Sequence, residues 1–150
     1  MTFPRRQQTT AWNSYAPIFN TANNNGSIGN GTISGKWRRV GDSMQVLIYM
    51  AWGSTTAGGT GDLRFPYPDG FNIDPSKTAA MSVSGQSIMC YMFDDSTPAN
   101  NTSGLSSNIT STTWRVVVDG NSQLSSTIPF TFATNDRIYL SAFVPILQFC

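Results

Sequence analysis

The chain contains no histidine and no glutamate. Without histidine, the commonest general base near neutral pH is missing, together with the usual Ser-His and Cys-His pairings and most zinc or iron sites. Without glutamate, hydrolysis by paired carboxylates would need two aspartates. The eight acidic residues are all Asp, and most stand beside Gly, Pro or Asn, where turn geometry accounts for them. Gly58-Gly59-Thr60-Gly61 is glycine-rich but lacks the lysine and following helix of a phosphate loop, and no dinucleotide fingerprint is present. The expectation is a protein that is not an enzyme and needs no cofactor or metal.

Charge is scarce as well. Only 11% of residues are charged and the net charge is +1, so there is no electrostatic basis for binding nucleic acid or an anionic membrane. Arg5-Arg6 and Lys36/Arg38/Arg39 are short, separated clusters and read as solvated strand edges. Asp94-Asp95 supplies half of a calcium site in residue type, but the oxygen-rich spacing of a calcium loop is missing, which leaves a solvated strand end.

There are two cysteines, Cys90 in a strand-like run and Cys150 at the last position. Sequence alone does not pair them, and free thiols are expected. No apolar run is long enough to span a bilayer, and MTFPRRQQTT at the N-terminus lacks the apolar core of a signal peptide, so a secretory route is not expected. The sequons at Asn25, Asn30, Asn100, Asn101 and Asn108 therefore carry little weight in a chain this rich in Asn, Ser and Thr.

What is present is a β vocabulary. Glutamate is absent and leucine and alanine are sparse while Ser, Thr, Asn and Gly are abundant, which predicts an all-β fold. At 150 residues the chain fits one domain, taken as a flexible lead-in over 1–10 and a single β domain over 11–150. The organising stretch is KWRRVGDSMQVLIYMAWG, Lys36 to Gly53. Val46, Ile48, Met50 and Trp52 alternate with Gln45, Leu47, Tyr49 and Ala51, the period of a strand. Gly41-Asp42 reverses the chain and pairs this strand with Thr32 to Val40.

Further strands are expected around Ala11 to Asn20, interrupted at Pro17, and over Asp62 to Pro68, where Pro66 and Pro68 demand an edge or an exit. Ala80 to Phe93, Ile109 to Asp119, Ile128 to Thr134 and Asp136 to Pro145 complete the series. Both faces of the Ala80 to Phe93 run are apolar at its end, so it is either interior or covered by another subunit. Asp94 to Asn108 is the longest polar segment and reads as a loop that is either functional or mobile. Eight to ten short strands with turns between them make a β-sandwich or jelly roll.

Trp12, Tyr15 and Pro17 (W-x-x-Y-x-P), Gly35 to Asp42 (G-x-W-R-R-V-G-D), Tyr67 to Asp74 (Y-P-x-G-x-x-I-D) and Val144 to Ile146 (V-P-I) form a set spread over nearly the whole chain. The set resembles a pattern found in structural and tail-fibre proteins of phages and other viruses. The resemblance implies a jelly-roll head of the tumour-necrosis-factor-like kind, a homotrimer at the tip of a fibre, located in the virion. The chain departs from the pattern at its end, where Leu147-Gln148-Phe149-Cys150 replaces the usual Gly-Trp.

Two functions compete under that expectation. The first is attachment: a homotrimer whose loops bind a host-surface receptor, with a glycan as the plausible ligand. Rings stack on the C–H face of sugars and amides or carboxylates read their hydroxyls, which nominates Trp52, Asp94, Asp95, Asn100 and Asn101. The second is a capsid decoration, cement or minor coat protein whose partners are other virion proteins. A glycan hydrolase is disfavoured by the missing His and Glu.

Overall fold

The computed structural model describes residues 8–68, 70–77, 88–108, 113–118 and 122–147. Among them are ten strands, two single-turn 3-10 segments and no α-helix. In chain order the strands are β1 (Asn13–Tyr15), β2 (Asn20–Thr21), β3 (Thr32–Val40), β4 (Ser43–Ala51) and β5 (Leu63–Pro66). They continue with β6 (Ile88–Phe93), β7 (Thr102–Asn108), β8 (Thr113–Val118), β9 (Ser122–Gln123) and β10 (Arg137–Pro145).

The expected hairpin is there. β3 and β4 pair in register from Thr32 opposite Ala51 to Val40 opposite Ser43, and Gly41 turns with φ of 63°, a conformation open to glycine at little cost. Every described pairing is antiparallel, and the hydrogen-bonded order is β1-β3-β4-β10-β6-β7-β8-β5-β2, with β9 beside β8. The strands make two antiparallel layers around one core, as in a β-sandwich, with β7 hydrogen-bonded to both β6 and β8.

The core follows the period-two pattern. Met44, Val46, Ile48 and Met50 of β4 and Ile138, Leu140, Ala142 and Val144 of β10 are buried from one layer; Leu63, Phe65, Trp114, Val116 and Val118 are buried from the other. Each such side chain, fully removed from water, contributes about 1.5–3 kcal/mol, offset by the ordering of the chain. Gly35, in the middle of β3, would leave a gap on the inner face. The ring of Tyr15 on the neighbouring edge strand β1 covers it so closely that an added Cβ would collide with the ring.

Three expectations change. Ala11 to Asn20 is not one interrupted strand but two short ones on different layers, since β1 pairs with β3 and β2 with β5; Pro17, lacking an N–H, sits at the crossing. Asp94 to Asn108 is not a loop throughout, because Thr102–Asn108 is strand β7, ladder-paired on both sides. Its sequence, TSGLSSN, has no apolar alternation to announce it. Ile128 to Thr134 is not a strand either. It forms an irregular segment whose Phe130 and Phe132 still enter the core.

Prolines mark boundaries as expected, although β5 lies between β8 and the two-residue β2 rather than at a bare edge. Gln8 to Thr10, at the end of the anticipated lead-in, bonds alongside the β3–β4 hairpin, with Thr10 N donating to Arg39 O at 3.0 Å and Gly41 N to Gln8 O at 3.1 Å. Residues 80–87, 148–150 and Cys150 with them lie outside the described residues. Cys90 is buried on β6, and burial pushes its thiol pKa well above the ordinary value, away from thiolate chemistry.

Candidate functional site

The stretches that carry the fibre-head resemblance meet at one end of the sandwich. Phe71 packs on Trp37 with ring centroids 4.6 Å apart, and Ile73 bridges Ile146. Asp74 N donates to Pro145 O at 3.0 Å, and Ile146 N to Asp42 O at 2.9 Å. Lys77 Nζ lies 3.4 Å from both the Asp42 and the Asp74 carboxylates. Lys77 foremost lowers the pKa of Asp42, and a hydrogen bond from Ser76 foremost lowers that of Asp74. Arg38 stands with its guanidinium 4.7 Å from the Trp12 ring centroid and donates to Gln45 at 2.8 Å, while Arg39 Nε donates to Gly41 O at 2.7 Å. These residues hold the turn, the Gly70 segment and the chain end together, so their spacing has a structural cause.

The nominated ligand residues gather at another place, around Asp136. Trp52 N donates to Asp136 O at 2.8 Å, and Asp95 N donates to the Asp136 carboxylate at 2.9 Å. Asp136 also accepts from Ala133 N at 2.7 Å. The ring of Trp52, however, turns into the core, 6% exposed, stacked on Phe132 at 5.0 Å and met edge-on by Phe19 at 6.1 Å. It is not the exposed platform for a sugar that its nomination required, and it follows the buried parity of Val46, Ile48 and Met50 instead.

Asp94 is a buried hub. One carboxylate oxygen accepts from Ser96 N at 3.0 Å, Ser96 Oγ at 2.8 Å and Thr97 N at 2.8 Å, and the other accepts from Asn100 Nδ2 at 2.8 Å. Asn101 Oδ1 accepts from Asp94 N at 2.8 Å, closing the loop around the 3-10 turn Pro98–Asn100. The Asn100 bond foremost lowers the Asp94 pKa. Asp95 remains at the surface, 3.9 Å from the Arg137 guanidinium. Thus Asp94, Asp95, Asn100 and Asn101 are brought together, but Asp94, Asn100 and Asn101 direct polar groups at their own loop. No group of three or more metal-ligating side chains is found among the described residues.

Two other features offer surface for binding. The first is the outer face of β3, β4, β10, β6 and β7. Register sets Ser34, Tyr49, Tyr139, Tyr91 and Ser103 in one row across the five strands, and Lys36, Leu47, Ser141 and Met89 in the next. Tyr49 and Tyr139 are 5.2 Å apart by ring centroids and Tyr91 lies 6.4 Å from Tyr139. Leu47, Tyr91, Tyr139 and Phe143 are exposed, and Met89 is 72% exposed. A groove of about 550 Å³ runs along these rows. Sequence parity foreshadowed this face in the two-sided apolar end of the β6 run, but only register brings the three tyrosines into line.

The second is a pocket where the layers' edges approach without a backbone ladder. Tyr15 of β1 donates to Pro66 O of β5 at 3.3 Å across the gap, and the chain crosses from layer to layer through Ala16 to Phe19. The pocket has a volume of about 470 Å³ and is lined by Tyr15, Ile18, Asn20, Trp37 and Arg64, among others. Its residues come from segments too far apart in sequence for any local spacing to reveal it. Comparison with family models, curated proteins and solved structures gives no match, so the fibre-head resemblance rests on the motif residues alone.

Proposed function

We propose that this chain is a virion fibre-head module that assembles as a homotrimer and binds a host-surface receptor, with a glycan as the ligand class. The observation that carries the reading is the outer face of β4, β10 and β6. Single exposed apolar residues are ordinary, whereas a contiguous patch of aromatic and aliphatic side chains favours being covered. Tyrosine suits such a role, since each ring buries area and its hydroxyl finds a partner across an interface.

Charge favours identical copies as the cover. The face carries Lys36 at one margin and Arg137 at the other, and Arg137 already has Asp95 beside it. Copies related by rotation therefore bring few like charges together. The motif resemblance supplies the number three. Loops rich in Asn, Ser and Thr at the ends of the sandwich are left free for the receptor.

The test is binding by the purified chain to host cells and a glycan array, compared with binding to purified capsid. The attachment reading expects cell or glycan binding that weakens when self-association is broken, because avidity is then lost. Tight capsid binding with no response on cells and glycans contradicts it and supports the capsid-decoration reading.

A further inference from the structure

We propose that the seam pocket between β1 and β5 is a saccharide site selective for a sugar ring bearing a carboxylate. The cavity of about 470 Å³ lies within the roughly 300–1,000 Å³ of small-molecule sites. Its lining combines the parts that sugar recognition needs. Tyr15 and Trp37 provide aromatic surface for the apolar face of a ring, and Asn20 and Asn24 provide amides for hydroxyls.

The preorganisation is visible in the hydrogen bonds. Asn20 Nδ2 donates to Asn24 Oδ1 at 2.8 Å, and Asn20 Oδ1 accepts from Thr21 N at 2.8 Å, which fixes both amides before a ligand arrives. Asn24 itself is in the left-handed region with φ of 54°, held by its N–H to Thr21 O at 3.1 Å. Tyr15 is pinned at the rim by its bond to Pro66 O.

Arg64 gives the selectivity. Its Nε is tied to Asp62 at 3.2 Å, which orients the guanidinium, while its two η nitrogens have no hydrogen-bond partner among the described residues. Register sets Arg115 of β8 opposite it. A guanidinium held by one edge presents a planar fork to a carboxylate and makes paired charge-assisted bonds there. A neutral hexose offers hydroxyl oxygens to that fork but no negative charge, so it gains only the weaker neutral bonds.

This ligand class rests on the attachment reading for its biological meaning, and its test is separate from that reading. The full chain is titrated with the methyl glycosides of glucuronic acid, N-acetylneuraminic acid and galactose, and binding is followed by saturation-transfer NMR. At least one of the two acids is expected to bind, with galactose weaker. Arg64→Gln is expected to weaken the acid by about tenfold and galactose by much less. Ile18→Glu, at a position 77% exposed on the pocket rim, adds a repelling carboxylate without touching the core and is expected to weaken the acids alone. No binding of either acid at millimolar concentration, or acid binding that survives both substitutions unchanged, overturns the proposal. A trimer that attaches to cells with no acid binding overturns the pocket alone; acid binding by a chain that neither trimerises nor attaches overturns the attachment reading alone.

Discussion

Leu140 and Tyr139 are neighbours on β10, yet Leu140 is 3% exposed and Tyr139 40%. The same contrast recurs beside them, with Ile48 inside and Leu47 outside on β4, and Met92 inside and Tyr91 outside on β6. Both faces are apolar, but only one is filled by the opposite layer. In a sheet with one wet face, polar residues alternate with apolar ones. Here the outer positions keep Leu, Tyr and Met, which a self-sufficient sandwich has no need of.

The inner face bears the largest expected effect. Leu140→Ala removes a buried side chain from β10, which is ladder-paired to both β4 and β6 there, and is expected to cost about 2–5 kcal/mol by denaturant unfolding. A cost near zero would mean that β10 does not anchor the core. Gly35→Ala is expected to cost about 1–3 kcal/mol, because the new methyl displaces the Tyr15 ring that covers the site. A neutral result would show that Tyr15 can leave without consequence.

Acid separates the ends of the sandwich from its faces. The pKa values of Asp42, Asp74 and Asp94 are all lowered in the fold, foremost by Lys77, Ser76 and Asn100 respectively. Their unfolded value is about 3.9, so their contribution is complete above that pH and lost as pH falls through the folded values. Hydrogen-exchange protection, taken relative to the intrinsic rate at each pH, should be lost on acidification first in residues 94–101 and around Gly41, and last in β4 and β10. Uniform loss of protection across the fold would contradict this order.

The long strands were legible because alternation and burial coincide in them. Val46 to Met50, Trp114 to Val118 and Ile138 to Leu140 announce both their elements and their inner faces. β7 was hidden because its residues are small and polar and its place is set by ladders to β6 and β8 rather than by its own pattern. Trp52 shared the parity of buried residues, and its ring is in the core with them, while Asp94, Asn100 and Asn101 are occupied with each other. The seam pocket was out of reach, because Tyr15, Trp37 and Arg64 become neighbours only when two layers meet edge to edge.

The outer face decides the account, and sedimentation at micromolar concentration reads it directly. The unmodified chain is expected at three times its monomer mass, and Tyr139→Glu at the monomer mass and still folded, since position 139 is 40% exposed on the single chain, but less stable by the association free energy that it loses. An unmodified chain that sediments as a monomer would leave the tyrosine row without identical copies to cover it.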